Sequence, residues 1–186
     1  MEAFQHNDTI NMIYSLNGLG LFFDRMDSTG KALTCHYWAL NLSESAHYRF
    51  EEAFVLNNLG LIKLEMGLLD SAYADFTNGL VISQQLKNER LESHLRENLG
   101  YYYLEIDSLQ AARKEFNYVL HLGEERGYKD LSLSSLTNLA GLEHRLGNVE
   151  RCDSLYSLAL DLAKTERMLH AVSPIYLGQV QLYTEI

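Results

Sequence analysis

Histidine and cysteine have the broadest chemical range of the side chains in this sequence, as metal ligands, nucleophiles and proton carriers. The chain holds His6, His36, His47, His94, His121, His144 and His170, with Cys35 and Cys152. A zinc site needs such ligands at close, fixed spacing. Neither H-E-x-x-H nor C-x-x-C occurs, so no metal is expected. Gly18-Leu19-Gly20 opens like the phosphate-binding G-x-G-x-x-G, but Phe23 stands where the last glycine belongs and no strand pattern precedes it. No nucleophile, base and orienting group can be assembled, so neither catalysis nor a cofactor is expected.

Composition narrows the partners. Lys and Arg number 15 against 25 Asp and Glu in 186 residues, a formal charge of −10. Each phosphate contact needs a cation, so nucleic acid and anionic membrane surfaces are not expected partners. Hydrophobic residues make up 47% of the chain, enough to bury a core. Residues 1–10 lack the cations and apolar run of a secretion signal, and no apolar stretch reaches the ~18 residues of a membrane span. A cytoplasmic location is therefore expected for the chain as given. One proline, Pro174, argues for helices.

The elements that position these residues come from an internal repeat with a period of 40. Leu19-Gly20 recurs as Leu59-Gly60, Leu99-Gly100 and Leu139-Ala140. Ala32, Ala72, Ala112 and Cys152 fill a second column, and Leu40, Leu80, Leu120 and Leu160 a third. Apolar residues spaced three or four apart run on either side of breaks at Asp27-Ser28, Gly67, Asp107-Ser108 and Gly147-Asn148. Each copy therefore reads as two antiparallel helices joined by a short turn, whose residues accept turn geometry or cap the next helix. A lone hairpin cannot bury its apolar face, whereas stacked neighbours can. The expectation is all-α: one solenoid domain over 1–186, in repeats of about 8–47, 48–87, 88–127, 128–167 and a partial 168–186. Nine helices are predicted near 8–26, 29–45, 48–66, 69–87, 89–106, 109–127, 129–146, 149–166 and 170–185. Ser173-Pro174 reads as an N-cap with proline in the first turn, which places the last helix from about Pro174. His36 and Cys152 read as core residues.

These columns resemble the tetratricopeptide repeat. Its spacing is matched by Gly60, Ala72, Phe76 and Gly79, and three of four places by Gly100, Ala112 and Phe116. In the first copy His36 replaces the aromatic, and the fourth has Ala140, Cys152, Tyr156 and Ala159. The period of 40 exceeds the standard 34, as in the variety similar to kinesin light chains, spindle adaptors and many bacterial regulators. HEAT and armadillo repeats share the longer period without this residue series. The resemblance implies a right-handed superhelix of about four and a half repeats whose first helices line a concave groove.

Carried over position by position, that groove receives Tyr14, Asn17, Leu21, Asp24 and Arg25 from the first copy. The second contributes Phe54, Asn57, Leu61, Leu64 and Glu65, and the third His94, Glu97, Tyr101, Leu104 and Glu105. The fourth contributes Ser134, Thr137, Gly141, His144 and Arg145, and the fifth Val172, Ile175, Gln179, Leu182 and Tyr183. The groove lacks the Lys and Arg set that would grip a C-terminal carboxylate. Asn58, Asn98 and Asn138 recur before the Leu-Gly or Leu-Ala, with two roles open: amides bonded to the backbone of an extended peptide, as in some superhelical members, or bonds to the neighbouring helix. The preferred reading is a non-catalytic scaffold for a protein or extended peptide. The alternatives are the sensory or regulatory region of a larger bacterial signalling or transcription-regulatory protein, and a self-assembly module that dimerises through its uncapped C-terminal helix.

Overall fold

The helices form because apolar residues return every three to four positions and almost nothing breaks them. The computed structural model describes the backbone of residues 2–184 and the side chains of 8–180. Among these it has α1 (Glu2–Arg25), α2 (Thr29–Ser45), α3 (Arg49–Glu65), α4 (Leu69–Gln85), α5 (Glu89–Glu105), α6 (Leu109–Arg126), α7 (Lys129–Arg145), α8 (Val149–Thr165) and α9 (Leu169–Thr184). The described chain is all-α, a tetratricopeptide-like solenoid of helix hairpins.

Helices α2 to α5, α7 and α8 are each 17 residues long, and the next helix begins four residues after each ends. Seventeen plus three makes 20, and two such units make the period of 40. Every turn carries one residue at positive φ: Asp27, Gly67, Asp107 and Gly147 within the repeats, His47, Lys87, Gly127 and Arg167 between them. Gly67 shows why. At φ 72° it lets Leu68 N–H return to the Lys63 carbonyl at 2.8 Å, closing the helix end. The expected side-chain caps play no part at Ser28, Ser108 or Asn148, none of which makes a cap bond. Backbone geometry at the positive-φ residue terminates these helices instead.

Two boundaries differ from expectation. Helix α1 begins at Glu2 rather than near residue 8. Helix α9 begins at Leu169, with Pro174 inside it rather than at its start. The turn at Arg167 (φ 56°) repeats the geometry of the others and sets the start. Pro174 then forfeits one bond to the preceding turn, a loss offset by packing of the neighbouring Ile175, 2% exposed, into the core.

The chain packs as two compact units, Met1–Asn98 and Leu99–Ile186, divided inside α5. In the first, Val55 and Leu59 of α3 pack with Ile13 of α1 and Ala39 of α2. In the second, Leu139 and Leu142 of α7 join Ala112 and Phe116 of α6, while Leu133, Leu136 and Ala140 meet Cys152, Tyr156 and Ala159 of α8. The repeat columns predicted this core. Ala32, Ala72, Ala112 and Cys152 are fully buried, as are His36, Phe76 and Phe116. A Cβ added to Gly60 would stand 2.5 Å from the Phe76 ring, and one added to Gly100 2.3 Å from Phe116. Glycine there is the condition for bringing the two helices of a hairpin together. Leu59, Leu99 and Leu139 are 0–4% exposed, but Leu19, in the same column, is 47% exposed. Both cysteines are free and buried, and burial, then Asp153 and Glu143, push the Cys152 thiol up. None of the described helices is long and apolar enough to cross a membrane.

Candidate functional site

In the first unit the expected groove residues of α1, α3 and the start of α5 divide sharply by burial. Asn17, Asn57, Asn58, Glu97 and Asn98 are between 3% and 8% exposed. Asn58 Nδ2 donates to Asn17 Oδ1 at 2.9 Å, and Asn98 Nδ2 donates to Asn57 Oδ1 at 2.7 Å. Each bond spans 41 residues, one repeat and one position, so the asparagines tie successive first helices together. Of the two roles open in the sequence, the geometry provides the helix–helix bond. These groups are used in two pairs, Asn58 with Asn17 and Asn98 with Asn57, because a buried amide left without a partner is costly. Asn98→Ala strands the Asn57 carbonyl oxygen, and a stability loss of about 1–3 kcal/mol is expected in chemical denaturation. A loss below about 0.5 kcal/mol, the noise of such measurements, would contradict this role.

The open part of this surface is Tyr14 and Leu21, 42% and 41% exposed, with half-buried Phe54, Leu61 and Leu64. Tyr14 Oη donates to Glu51 at 3.1 Å, and burial together with Glu51 pushes its phenol up. Glu65 is exposed at the helix end, where partial burial and then Asp24 hold its carboxyl above the usual range. His94 is exposed, its Nδ1 3.7 Å from Glu97. This face is apolar, with Glu65 at one end.

In the second unit Tyr101 is 40% exposed, packs edge-on to Phe116, and donates its hydroxyl to Asn138 Oδ1 at 2.8 Å. Asn138 Nδ2 is buried with no partner. Arg145, another of the expected groove residues, donates to the Leu104 carbonyl at 3.0 Å and lies 3.4 Å from Asp107, one repeat back, and Leu104 itself is half-buried. Glu105 is exposed and His144 half-buried. Leu182 and Tyr183 have side chains outside the described residues.

Between the first helices α7 and α9 lies a cavity of about 440 Å³. Leu133, Met168, Ala171, Pro174 and Ile175 make it largely apolar, Ser134, Thr137 and Asn138 supply polar groups, and Asp130 and His170 also border it. Ser134 and Thr137 bond their hydroxyls to the Leu131 and Leu133 carbonyls of their own helix. No group of three or more His, Cys, Asp or Glu among the described residues is placed to hold a metal.

No protein-family model matches the chain, and no curated protein matches it in sequence. Solved structures match in shape. The Signal Transduction ATPase with Numerous Domains protein with a tetratricopeptide repeat sensor, from Pyrococcus horikoshii, superposes with a TM-score of 0.79 over 93% of this chain, at 16% identity. The fold is the tetratricopeptide-repeat fold. BtubC (BKLC) from P. vanneervenii superposes with a TM-score of 0.71 over 83% of this chain, at 19% identity. The chain spans 26% of the first of these proteins and 64% of the second.

Two features of the structure have no motif in the sequence. One is the wall that Met168, His170, Ala171 and Pro174 add to the α7–α9 cavity. Their signal was the period itself: 40 residues beyond Lys129 is Leu169, where α9 begins. The other is Glu143, fully buried, with Arg113 at 2.9 Å, Arg151 at 3.3 Å and the Asn148 amide at 2.7 Å. No column announces it, since the equivalent places hold Lys63, Tyr103 and Phe23. In the second copy Lys63 makes a pair of its own with Asp75.

Proposed function

We propose that this chain is a non-catalytic protein-binding scaffold, and that an extended peptide seats an apolar side chain in the cavity between α7 and α9. The observation that carries the reading is that cavity: an apolar cleft between two first helices, bordered by an amide whose donor has no partner. Apolar lining supplies affinity, and a few polar groups fix orientation. The Asn138 amide would serve a peptide carbonyl, so one asparagine of the expected series keeps a binding role while its counterparts hold helices together. The test is selection from a displayed library of random peptides. Selected peptides should carry an apolar anchor and lose tenfold or more in affinity, about 1.4 kcal/mol, to Thr137→Arg, which fills the cleft, at unchanged melting temperature. Peptides that bind Thr137→Arg as well as the parent chain would place binding elsewhere.

A second reading is favoured by the comparison alone. The Pyrococcus protein's tetratricopeptide region is described as a sensor, and this chain spans 26% of that protein. On this reading the same cleft is the sensory element of a larger signalling protein.

A further inference from the structure

Three places on the molecule stand out beyond the peptide cleft: the buried His36, the buried Glu143 cluster and one bare face of α1. The last carries furthest. In the repeats that follow, Val55, Leu59 and Ile62 of α3 are 0–3% exposed, with Val55 and Leu59 packed with Ala39 of α2. The same columns on α1 hold Ser15, Leu19 and Phe22, and no described helix covers them: Leu19 is 47% and Phe22 56% exposed. Met12 and Met26 extend the row, at 57% and 62% exposed. The positions 12, 15, 19, 22 and 26 alternate in steps of three and four, the seam spacing of packed helices, and none is charged.

We infer that this face joins two copies of the chain in an antiparallel, two-fold dimer. The row is complementary to itself about Leu19. Met12 and Met26 lie seven residues to either side, about 10 Å along the helix, so a two-fold axis at Leu19 places Met26 of one copy over Met12 of the other. Met12 borders a cavity of about 380 Å³ with Leu16, Trp38 and Leu42, and the flexible Met26 side chain fits such a hollow. Each copy thus offers the knob at one end of the row and the hole at the other, which is what an isologous interface requires. The row and Trp38, 62% exposed, leave on the order of 500 Å² of apolar surface per copy. Two copies would bury about 1,000 Å², the lower end for a specific interface. An interface of that size belongs with weak, reversible association rather than with obligate dimers. An uncharged seam also suits a chain with charge −10, and screening by salt should tighten the dimer.

The C-terminal helix is the rival face, with Leu177 and Val180 61% and 54% exposed. There, however, Lys164 lies over the Tyr176 ring and donates to its hydroxyl, placing a charge on the patch. Sedimentation equilibrium from 1 to 300 μM (about the range a weak dimer demands) tests the proposal. The chain should pass from monomer to dimer, Phe22→Glu and Met26→Glu should stay monomeric with unchanged melting temperature, and Val180→Glu should still dimerise. Under mild oxidation Leu19→Cys should cross-link as a dimer, since the native cysteines are buried. A chain monomeric throughout, a dimer that survives Phe22→Glu and Met26→Glu, a dimer lost in Val180→Glu, or failure of Leu19→Cys to cross-link would each overturn it.

Discussion

Phe116→Ala is expected to lower the unfolding free energy by about 3–5 kcal/mol, with Phe76→Ala close behind. Both rings are fully buried, and each lies on a glycine of the preceding helix, Gly100 or Gly60, that leaves room for nothing else. Removing a ring leaves a hollow walled partly by backbone. Helix backbone cannot slide inward without disturbing the next seam, so the hollow stays open and the cavity term is added to the lost transfer energy. Guanidinium denaturation monitored by circular dichroism measures the loss. A loss under 1 kcal/mol, well below the range ordinary for a buried aromatic, would mean that the hairpin interface is not where these columns place it.

His36→Phe is expected to have the largest effect of opposite sign, a gain of about 2–3 kcal/mol. His36 fills the column of Phe76 and Phe116, is fully buried, and has no hydrogen-bond partner at either ring nitrogen. Gly20 lies against it as Gly60 and Gly100 lie against the phenylalanines, so the pocket already has the shape for a phenyl ring. Burial holds the imidazole below its ordinary range, with the Asp24 carboxylate opposing the shift. The folded state therefore binds this proton less readily than the unfolded state does. Stability should be fully present above the unfolded value of about 6.5, and be lost as the pH falls through it. The slope from this one group is at most about 1.4 kcal/mol per pH unit. His36→Phe should remove that component while leaving the carboxylate titrations in place. Chemical denaturation of both proteins at pH 7.5 and 5.5, values that bracket the unfolded pKa at roughly one unit each side, measures it. Equal pH dependence in the two proteins would show that His36 is not buried neutral.

The repeat was fully legible in the residues because its causes are local. A 20-residue unit of helix and turn, doubled to 40, follows from apolar spacing of three and four and from residues that accept positive φ. The pairing of Gly with an aromatic, and of Ala with its neighbours, is a matter of size and distance along one hairpin. Those rules located Ala72, Ala112, Phe76 and Phe116 in the core and placed most helix ends within two residues.

The candidate site was less legible. An asparagine reads the same whether its amide meets a peptide or another asparagine 41 residues away, and Arg145 reads the same whether free or bonded to Leu104. Leu19 and Leu59 are the same residue in the same column, yet one is 47% exposed and the other fully buried. Pro174 signals a helix start, and the turn at Arg167 overrides it. The outcomes at the asparagines, Arg145 and Leu19 depend on what stands opposite across a seam. Side-chain volume and helical spacing are properties of the chain itself, whereas the partner of a polar group, or the cover over an apolar one, exists only after the repeats have stacked.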